Sequence, residues 1–401
     1  MVRAGLLRPS FAAIALAIAV FACGAPAPAQ ITHADSGDVK TQDRLASDPA
    51  GAVERARKRV AGGDLDGAVK ELALYVGGHP RELEPARYLA DLYYRQTDFA
   101  SAERTLIAIL TFAPKDRETH NRLGGIYAVQ DKITAAIDEF QKSLPYTGAY
   151  EHLVALHRIH GDLGNFVDGF RRDAENKPYD VSAQLEYGKV LAALRRPLDA
   201  IDYFQRALSL EMNSCSVLAD LGSAYLDVNQ VPKAVEVLQR CLNHESNNYN
   251  ALVNLGDAYI EQGQLPKSRD ALERASRARP DGPEALVDLG YIEDMQGHWQ
   301  PAVQYYLRAI ALDPLCRDAY VNLGYDYDEH RLFQLAEASF IKGLSIAPSD
   351  GRLHYLLAVT YHEQGKKDLA KVEYERAKTS DEPEVARAAT RDLALMQRTQ
   401  P

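Results

Sequence analysis

Cysteine, tryptophan and an excess of basic residues are what this sequence lacks. Its 401 residues include four cysteines and one tryptophan, and 46 basic against 56 acidic residues give a formal net charge of −10. An acidic chain of this kind is a poor partner for the phosphate backbone of a nucleic acid. No stretch has the pattern of a basic amphipathic membrane helix. We therefore expect neither nucleic acid nor a membrane surface as the partner.

The signatures of common enzyme classes are also missing. The sequence has no glycine-rich phosphate loop, no HExxH helix, no Gly-x-Ser-x-Gly turn and no CxxC pair. His152, His157 and His160 cluster on one predicted helix, with Glu151 or Asp162 near enough to share a metal ion. No general base or supporting shell follows from the spacing, so surface histidines are the favoured interpretation. We expect a protein that is not an enzyme and holds no cofactor or metal.

A long apolar run occurs only at the N-terminus. Phe11 to Ala22 follow Arg3 and Arg8, and Ala27-Pro28-Ala29 forms a small-residue cleavage site before Gln30. The run is too short to span a bilayer as a retained helix. Residues 1–29 are therefore predicted to be a secretory signal, and the mature protein to be periplasmic or secreted. Losing both arginines takes the charge to about −12.

One alternative stays open for this segment. Val20-Phe21-Ala22-Cys23 resembles a bacterial lipoprotein box, whose cleavage would leave Cys23 as a lipidated first residue. Phe21 departs from that pattern, which has a small or β-branched residue there, so ordinary cleavage is favoured over lipid anchoring. Residues 30–48 show no apolar periodicity and are predicted to be a flexible lead-in.

Internal repetition dominates the rest of the chain. The phrases LGSAYL, LGDAYI, LGYIED and LGYDYD recur every 34 residues, beginning at Leu221, Leu255, Leu289 and Leu323. A second phrase follows each of them, with a small residue, a leucine or aromatic four positions later, and a small residue three beyond, as in Ala302, Tyr306 and Ala309. Each phrase places its residues on one helical face, so each unit is predicted to be a helical hairpin in which a small residue faces a large one.

This pattern resembles the tetratricopeptide (TPR) repeat. The resemblance implies an all-α, right-handed superhelix, or α-solenoid, in which each hairpin buries its face against the next. The register predicts ten repeats: repeats 1–3 at 49–146, an irregular repeat 4 at 147–180, and repeats 5–10 at 181–384. A capping helix and tail follow at 385–401.

Repeats 3 and 4 depart from the pattern. Repeat 3 is four residues short, and repeat 4 has Phe166 and Asp173 where small residues are expected. A bend or subdomain seam between residues 145 and 180 is one interpretation, and a tolerated degenerate repeat is the other.

The cysteines give no clear framework. With Cys23 in the predicted signal, Cys215, Cys241 and Cys316 remain, without metal-ligand spacing. Cys215 and Cys241 lie at neighbouring ends of the repeat 6 hairpin. However, Cys241 takes the small-residue slot that faces the following repeat, so we expect its side chain to point away from Cys215 and no disulfide to form.

The first helices of repeats 6–9 share a polar stripe. Counted from the glycine of each Leu-Gly phrase, positions −6, −3, −2, +1, +4 and +5 fall on one face, which lines the concave groove in TPR proteins. At position −2 the stripe alternates acid and amide, in the order Asp220, Asn254, Asp288 and Asn322. This ladder is similar to the asparagine ladder of O-GlcNAc transferase, which holds the backbone of extended polypeptides. An amide suits that task because it both donates and accepts.

Acidic and aromatic residues fill the rest of the stripe. They are Asp227, Asp257, Glu261, Glu284, Asp294, Asp318, Asp328 and Glu329, with Tyr291 and Tyr325. TPR domains that clamp a C-terminal carboxylate carry basic residues in these slots, which argues against that mode. We expect a non-enzymatic scaffold or adaptor that binds an extended, basic or polar protein segment in the groove, in the cell envelope. The alternatives are an accessory subunit of an envelope enzyme or of a secretion, pilus or polysaccharide assembly machine, and a merely solvated acidic face.

Overall fold

The computed structural model describes residues 48–61, 64–145, 147–280, 282–313, 316–380 and 382–398. The predicted signal peptide, Cys23 and the predicted lead-in up to residue 47 lie outside these ranges. Within them every regular element is an α-helix, which confirms the predicted all-α fold class. The helices are α1 (Pro49–Ala61), α2 (Leu65–Gly78), α3 (Leu83–Arg95), α4 (Phe99–Phe112), α5 (Arg117–Val129), α6 (Ile133–Ser143), α7 (Thr147–His160), α8 (Leu163–Asn176), α9 (Val181–Ala193), α10 (Pro197–Leu210), α11 (Cys215–Asp227), α12 (Val231–His244), α13 (Tyr249–Glu261), α14 (Leu265–Ala278), α15 (Glu284–Met295), α16 (Trp299–Leu312), α17 (Arg317–Glu329), α18 (Phe333–Ile346), α19 (Gly351–Glu363), α20 (Lys367–Ala377) and α21 (Pro383–Arg398).

The helices stack in chain order as a solenoid. Each odd-numbered helix up to α19 pairs with the helix that follows it, and each even-numbered helix packs against the next odd-numbered one. The odd-numbered helices also contact one another from repeat to repeat, for example α11 with α13 and α13 with α15. They therefore form the inner row of a curved array, and their polar stripe faces the concave side.

Glycine makes the close approach within each hairpin possible. A Cβ atom built on Gly324 would lie 2.5 Å from the Phe340 ring, and one on Gly188 would lie 2.5 Å from the Phe204 ring. Both rings are 1% exposed, so they fill the core of their hairpins completely. The predicted pairing of a small residue with a large one is thus what holds the two helices of a repeat together.

The turn inside each hairpin uses a left-handed residue. Glycine supplies it at Gly161, Gly263, Gly297 and Gly365, with φ between 69° and 86°. The equivalent turns of other repeats use residues with side chains at φ between 57° and 61°, namely Thr97, Asp131, Arg195, Asn229 and Arg331. Hairpin packing therefore imposes the turn even where the local residue disfavours it.

Repeat 4 accommodates its irregular residues by stacking aromatic rings. Phe166 lies 4.3 Å from the His157 ring, nearly parallel to it, and meets the Phe170 ring edge-on at 5.2 Å. His157 stands where most repeats have the tyrosine of the Leu-Gly-x-x-Tyr phrase. Ala174 alone is buried in α8, whereas α10 buries Ala200, Ile201, Phe204 and Ala207. Repeat 4 is therefore the more loosely packed hairpin.

The expectation for the cysteines is wrong. Cys215 and Cys241 form a disulfide, with an S–S distance of 2.14 Å and Cα atoms 4.8 Å apart. Cys215 opens α11 and Cys241 lies in the last turn of α12, so the antiparallel hairpin brings their backbones within disulfide reach. At that separation the side chain of Cys241 fills the small-residue position of its helix and still bonds to Cys215.

Both ends of the array are accounted for by packing. In α21, Val385, Ala389, Leu393 and Met396 are buried against the last hairpin, while charged residues cover the outer face. At the other end, α1 packs against α16, and α5 packs against α18, so the superhelix returns on itself about seven repeats along. No helix in the described ranges is long and apolar enough to cross a membrane.

Candidate functional site

The polar stripe lies on the odd-numbered helices of repeats 6–9, here called the acidic groove. Among the residues chosen from the sequence, Asp227, Glu261, Glu284 and Glu329 are exposed. The half-buried ones are Asp220, Asn254, Asp257, Asp288, Tyr291, Asp294, Asp318, Tyr325 and Asp328. These side chains retain surface on the concave side.

Asn322 is the exception within the ladder. It is buried, with 8% of its surface exposed. The hypothesis that Asn254 and Asn322 together hold a peptide backbone therefore has one accessible rung rather than two. Sequence position alone placed both on the same face but could not show how deeply the second is buried.

The residues at position −2 reach back to the preceding repeat. The Lys189 Nζ atom lies 3.4 Å from Asp220 Oδ2. Asn254 Nδ2 donates to the backbone carbonyl of Ala219 at 3.1 Å. The ladder thus couples neighbouring repeats in addition to facing the groove, a role that the sequence analysis missed.

Several groove carboxylates are oriented by hydrogen bonds within the chain. Thr360 Oγ1 donates to Asp328 at 2.7 Å, and Tyr249 Oη donates to Glu284 at 2.7 Å. Arg317 holds Asp318 through Nη2 at 2.6 Å. A carboxylate has about four acceptor sites, so one such bond fixes its direction and leaves capacity for a partner's donors.

A pair of carboxyl groups joins repeats 8 and 9 at the floor of the groove. Asp294, near the end of α15, and Asp326, in α17, hydrogen-bond to each other, and Tyr306 Oη donates to Asp294 Oδ2 at 2.5 Å. Burial raises the pKa of both carboxyls, and for Asp326 the neighbouring Asp294 raises it further. Because an ionised carboxylate only accepts, the hydrogen bond between the two carboxyls requires a proton on one of them. Asp326 lies off the predicted stripe, so no sequence pattern indicated this pairing.

Crowding of acids makes the groove electronegative. Burial, together with Glu363 and Glu329, raises the pKa of Asp328 to about 6. Burial also raises the pKa of Asp220, against the opposing effect of Lys189. Burial and neighbouring acids make the ionised form of these carboxyls unfavourable. A positively charged group entering the groove would stabilise that ionised form.

The histidines of repeat 4 have structural partners. His157 Nδ1 lies 2.7 Å from Asp162 Oδ1, and His160 Nδ1 lies 3.3 Å from Asp162 Oδ2. His152 stacks on Phe140 with 4.7 Å between ring centres. Within the part of the chain that the structure describes, no group of three or more His, Cys, Asp or Glu residues is arranged to hold a metal ion.

Comparison with known proteins gives a family match in three regions of the chain. Models described as "Tetratricopeptide repeat" match residues 89–151, the overlapping stretches 219–283 and 253–315, and residues 351–383. No curated protein matches the chain.

Solved structures give partial likenesses. A MamA protein is 26% identical over 41% of this chain and 89% of its own, with a TM-score of 0.33. The Thermus thermophilus TPR protein TTC0263 is 22% identical over 46% of this chain and 100% of its own, with a TM-score of 0.44. Yeast Tom70 is 12% identical over 90% of this chain and 97% of its own, with a TM-score of 0.47.

Proposed function

Because the chain is a tetratricopeptide-repeat protein, and such repeats build protein–protein interaction scaffolds, we propose that its acidic groove binds an extended, basic or polar segment of a partner protein. The family's role is generally non-catalytic, and we propose the same here. The partner segment would lie along the odd-numbered helices, with its backbone near Asn254 and its cationic side chains near the carboxylates.

The main support for this proposal is that every charged residue of the stripe is acidic. Over four repeats none of the stripe positions holds a lysine or arginine, while acids recur in each repeat. A solvated helix face normally intersperses both signs. Like charges lining a cleft focus their field outward, which attracts a partner of opposite charge and speeds its association.

The cell envelope is the proposed location. The signal-like N-terminus motivates it, and the Cys215–Cys241 disulfide supports it, because structural disulfides persist in oxidising compartments. N-terminal sequencing of the mature protein checks this directly. We expect the first residue to be Gln30, whereas a lipidated Cys23 would place the protein on a membrane surface.

Charge-neutral substitutions in the groove test the binding proposal. We expect Asp257→Asn with Glu261→Gln to weaken binding of a lysine- and arginine-rich model peptide roughly tenfold in 50 mM salt, since each removed ion contact contributes about 0.5–1 kcal/mol. The affinity of the variant should also respond less to salt.

The matched control is Asp202→Asn with Glu236→Gln, which removes the same charges from exposed positions on the even-numbered helices α10 and α12. This control should bind as tightly as the unmodified protein. Equal weakening by both double variants would show that only net charge matters and that the groove is not the binding surface.

The native partner requires a separate experiment. A photo-crosslinking amino acid at Tyr291, in the groove, should capture a partner in intact cells, and the same residue at the exposed Tyr179 should not. Capture of an envelope enzyme or an assembly machine subunit would define the scaffold as part of that machine. Capture only at Tyr179 would move the binding surface away from the groove.

A further inference from the structure

The superhelix touches itself across about seven repeats. Helix α16 of repeat 8 packs against α1, helix α18 of repeat 9 packs against α5, and the Tyr94 and Ser345 hydroxyl oxygens lie 3.5 Å apart. These contacts join residues more than 200 positions apart in the chain, the separation of that hydroxyl pair being 251. They are distinct from the neighbour-to-neighbour contacts that build the solenoid.

On the N-terminal side, the contact uses the concave stripe. In repeat 2 the residue at the glycine position is Ala90, so Asp91, Tyr94 and Arg95 occupy positions +1, +4 and +5. Tyr94 and Asp91 are each 4% exposed, and Asp91 is covered in part by Arg122 of the adjacent repeat 3. The Ser345 hydroxyl lies beside Tyr94, and Asp313 acts electrostatically on both side chains, so residues of repeats 8 and 9 lie over this part of the groove.

The chemistry of this contact differs from that between neighbouring repeats. Arg95 is half-buried, and its buried Nη1 atom has no hydrogen-bond partner. Burial and the charge of Arg95 lower the pKa of Lys342, which is half-buried. A like-charge pair and one buried guanidinium nitrogen without an acceptor oppose closure, whereas hairpins are held by fully buried rings such as Phe340.

Opposite charges on the early and late repeats favour closure. Arg317, at the start of repeat 9, interacts electrostatically with Glu151 of repeat 4. Asp313, in the turn before α17, attracts Arg122 of repeat 3 and repels Asp91 of repeat 2. The contact thus balances long-range attraction between the two halves against local repulsion at Arg95 and Lys342, and such a balance depends on ionic strength.

We propose that this contact is a clasp: repeats 8 and 9 separate from repeats 1–3 as a unit, while every hairpin stays folded, and thereby uncover the groove of repeats 2 and 3. Closure then limits the concave surface that a partner meets to the later repeats. The proposal needs no assumption about what the acidic groove binds.

One substitution at the clasp, and the same substitution at the equivalent helix position of another repeat, test the clasp. Ser345→Arg places a third cation beside Arg95 and Lys342, while Ser209→Arg makes the same change at the same helix position four repeats earlier. In both helices the serine hydroxyl donates to a backbone carbonyl three residues before it. The two serines therefore match in helix position and hydroxyl bonding, and they differ in that Ser345 is half-buried at the clasp whereas Ser209 is exposed and far from it.

Small-angle X-ray scattering of the full mature chain supplies the readout, with far-UV circular dichroism monitoring helix content. We expect Ser345→Arg to increase the radius of gyration at unchanged helicity and Ser209→Arg to leave both unchanged. Raising salt from 50 mM to 1 M should open the unmodified protein in the same way, since screening removes the attraction between the early and late repeats.

The proposal fails if the radius of gyration of Ser345→Arg matches that of Ser209→Arg at both salt concentrations. It also fails if expansion occurs only together with loss of helicity, because the contact would then belong to the folded core. The salt titration of the unmodified protein decides the question should Ser345→Arg not fold.

Discussion

Gly324 and Gly169 both lie inside helices but meet different surroundings. A Cβ atom on Gly324 would lie 2.5 Å from the Phe340 ring, whereas one on Gly169 would have nothing within 4 Å. Gly324 is therefore required because there is no room for a Cβ atom, whereas Gly169 only weakens its helix. Single positions in this array can be sorted by that distinction.

We expect Gly324→Ala to lower the free energy of unfolding by about 1–3 kcal/mol, because an extra methyl group in a packed core forces the ring or helix to move. Gly169→Ala should raise it by about 0.5–1 kcal/mol through helix propensity alone. Urea unfolding followed by circular dichroism measures both. If Gly324→Ala were as stable as the unmodified protein, the close approach of Gly324 and Phe340 would not be a constraint.

Sequence reasoning predicts a residue's role when the repeat pattern shows it, and misses the role when the packing of the folded chain decides it. The slot glycines and the turn glycines were predictable because the repeat shows them as a pattern. Thr97, Arg195 and Arg331 take the same left-handed turn without carrying its signal, since the packed hairpin imposes φ on them. Asp326 was missed because its partner is chosen by the stacking of two repeats.

At the scale of the element, the hairpin was the predictable unit. Helix pairing depends on residues within one 34-residue period, so the sequence contains it. Predicting the disulfide needed the distance between two helix ends, and the assignment of residues to helix faces does not give that distance. The Cα atoms of Cys215 and Cys241 are 4.8 Å apart, which allows the bond.

Repeat 4 should open before the hairpins that follow it. In α8 Ala174 alone is buried, and Phe166 packs on His157 in place of a small residue facing a large one. Fewer buried apolar contacts give a lower local opening free energy. Hydrogen exchange measured by mass spectrometry should therefore be faster in peptides from 147–176 than in peptides from 215–244.

The repeat 6 hairpin serves as the internal control, because its two ends are joined by the disulfide and its slots are filled. Reduction of that disulfide should speed exchange in 215–244 and leave 147–176 unchanged, as expected when each repeat contacts only its neighbours. Equal exchange rates in both hairpins of the oxidised protein would show that repeat 4 is a tolerated variant and not a seam.

Closure of the superhelix belongs to the whole molecule. Curvature accumulates from a small rotation at every repeat interface, and four residues missing from repeat 3 or a bulky Phe166 in repeat 4 alter that sum. The contact between Tyr94 and Ser345 depends on all the intervening interfaces. No local pattern could therefore have predicted it, although both helices that carry it were predicted.

Buried acids make the stability of the whole array depend on pH. Burial raises the pKa of Asp91 to about 7, against the opposing charge of Arg122, and it raises the pKa of Asp326 beside Asp294. The folded state then holds protons that the unfolded chain releases above its ordinary carboxyl pKa of about 3.9. The stability that these groups contribute is complete below about pH 4 and is lost as pH rises toward the folded-state values.

Asp326→Asn isolates this effect, because an asparagine cannot ionise and its amide can still donate to Asp294. Its neighbours Tyr306, Glu329 and His330 stay in place, so the difference from the unmodified protein reports the shared proton. We expect the variant to gain about 1–3 kcal/mol relative to the unmodified protein between pH 5 and pH 8, measured by urea unfolding at each pH. Asp202→Asn, which removes an exposed charge from α10, should leave the pH profile unchanged. A constant difference between Asp326→Asn and the unmodified protein from pH 5 to pH 8 would mean that the pair does not hold a proton, and that repeats 8 and 9 are joined by packing alone.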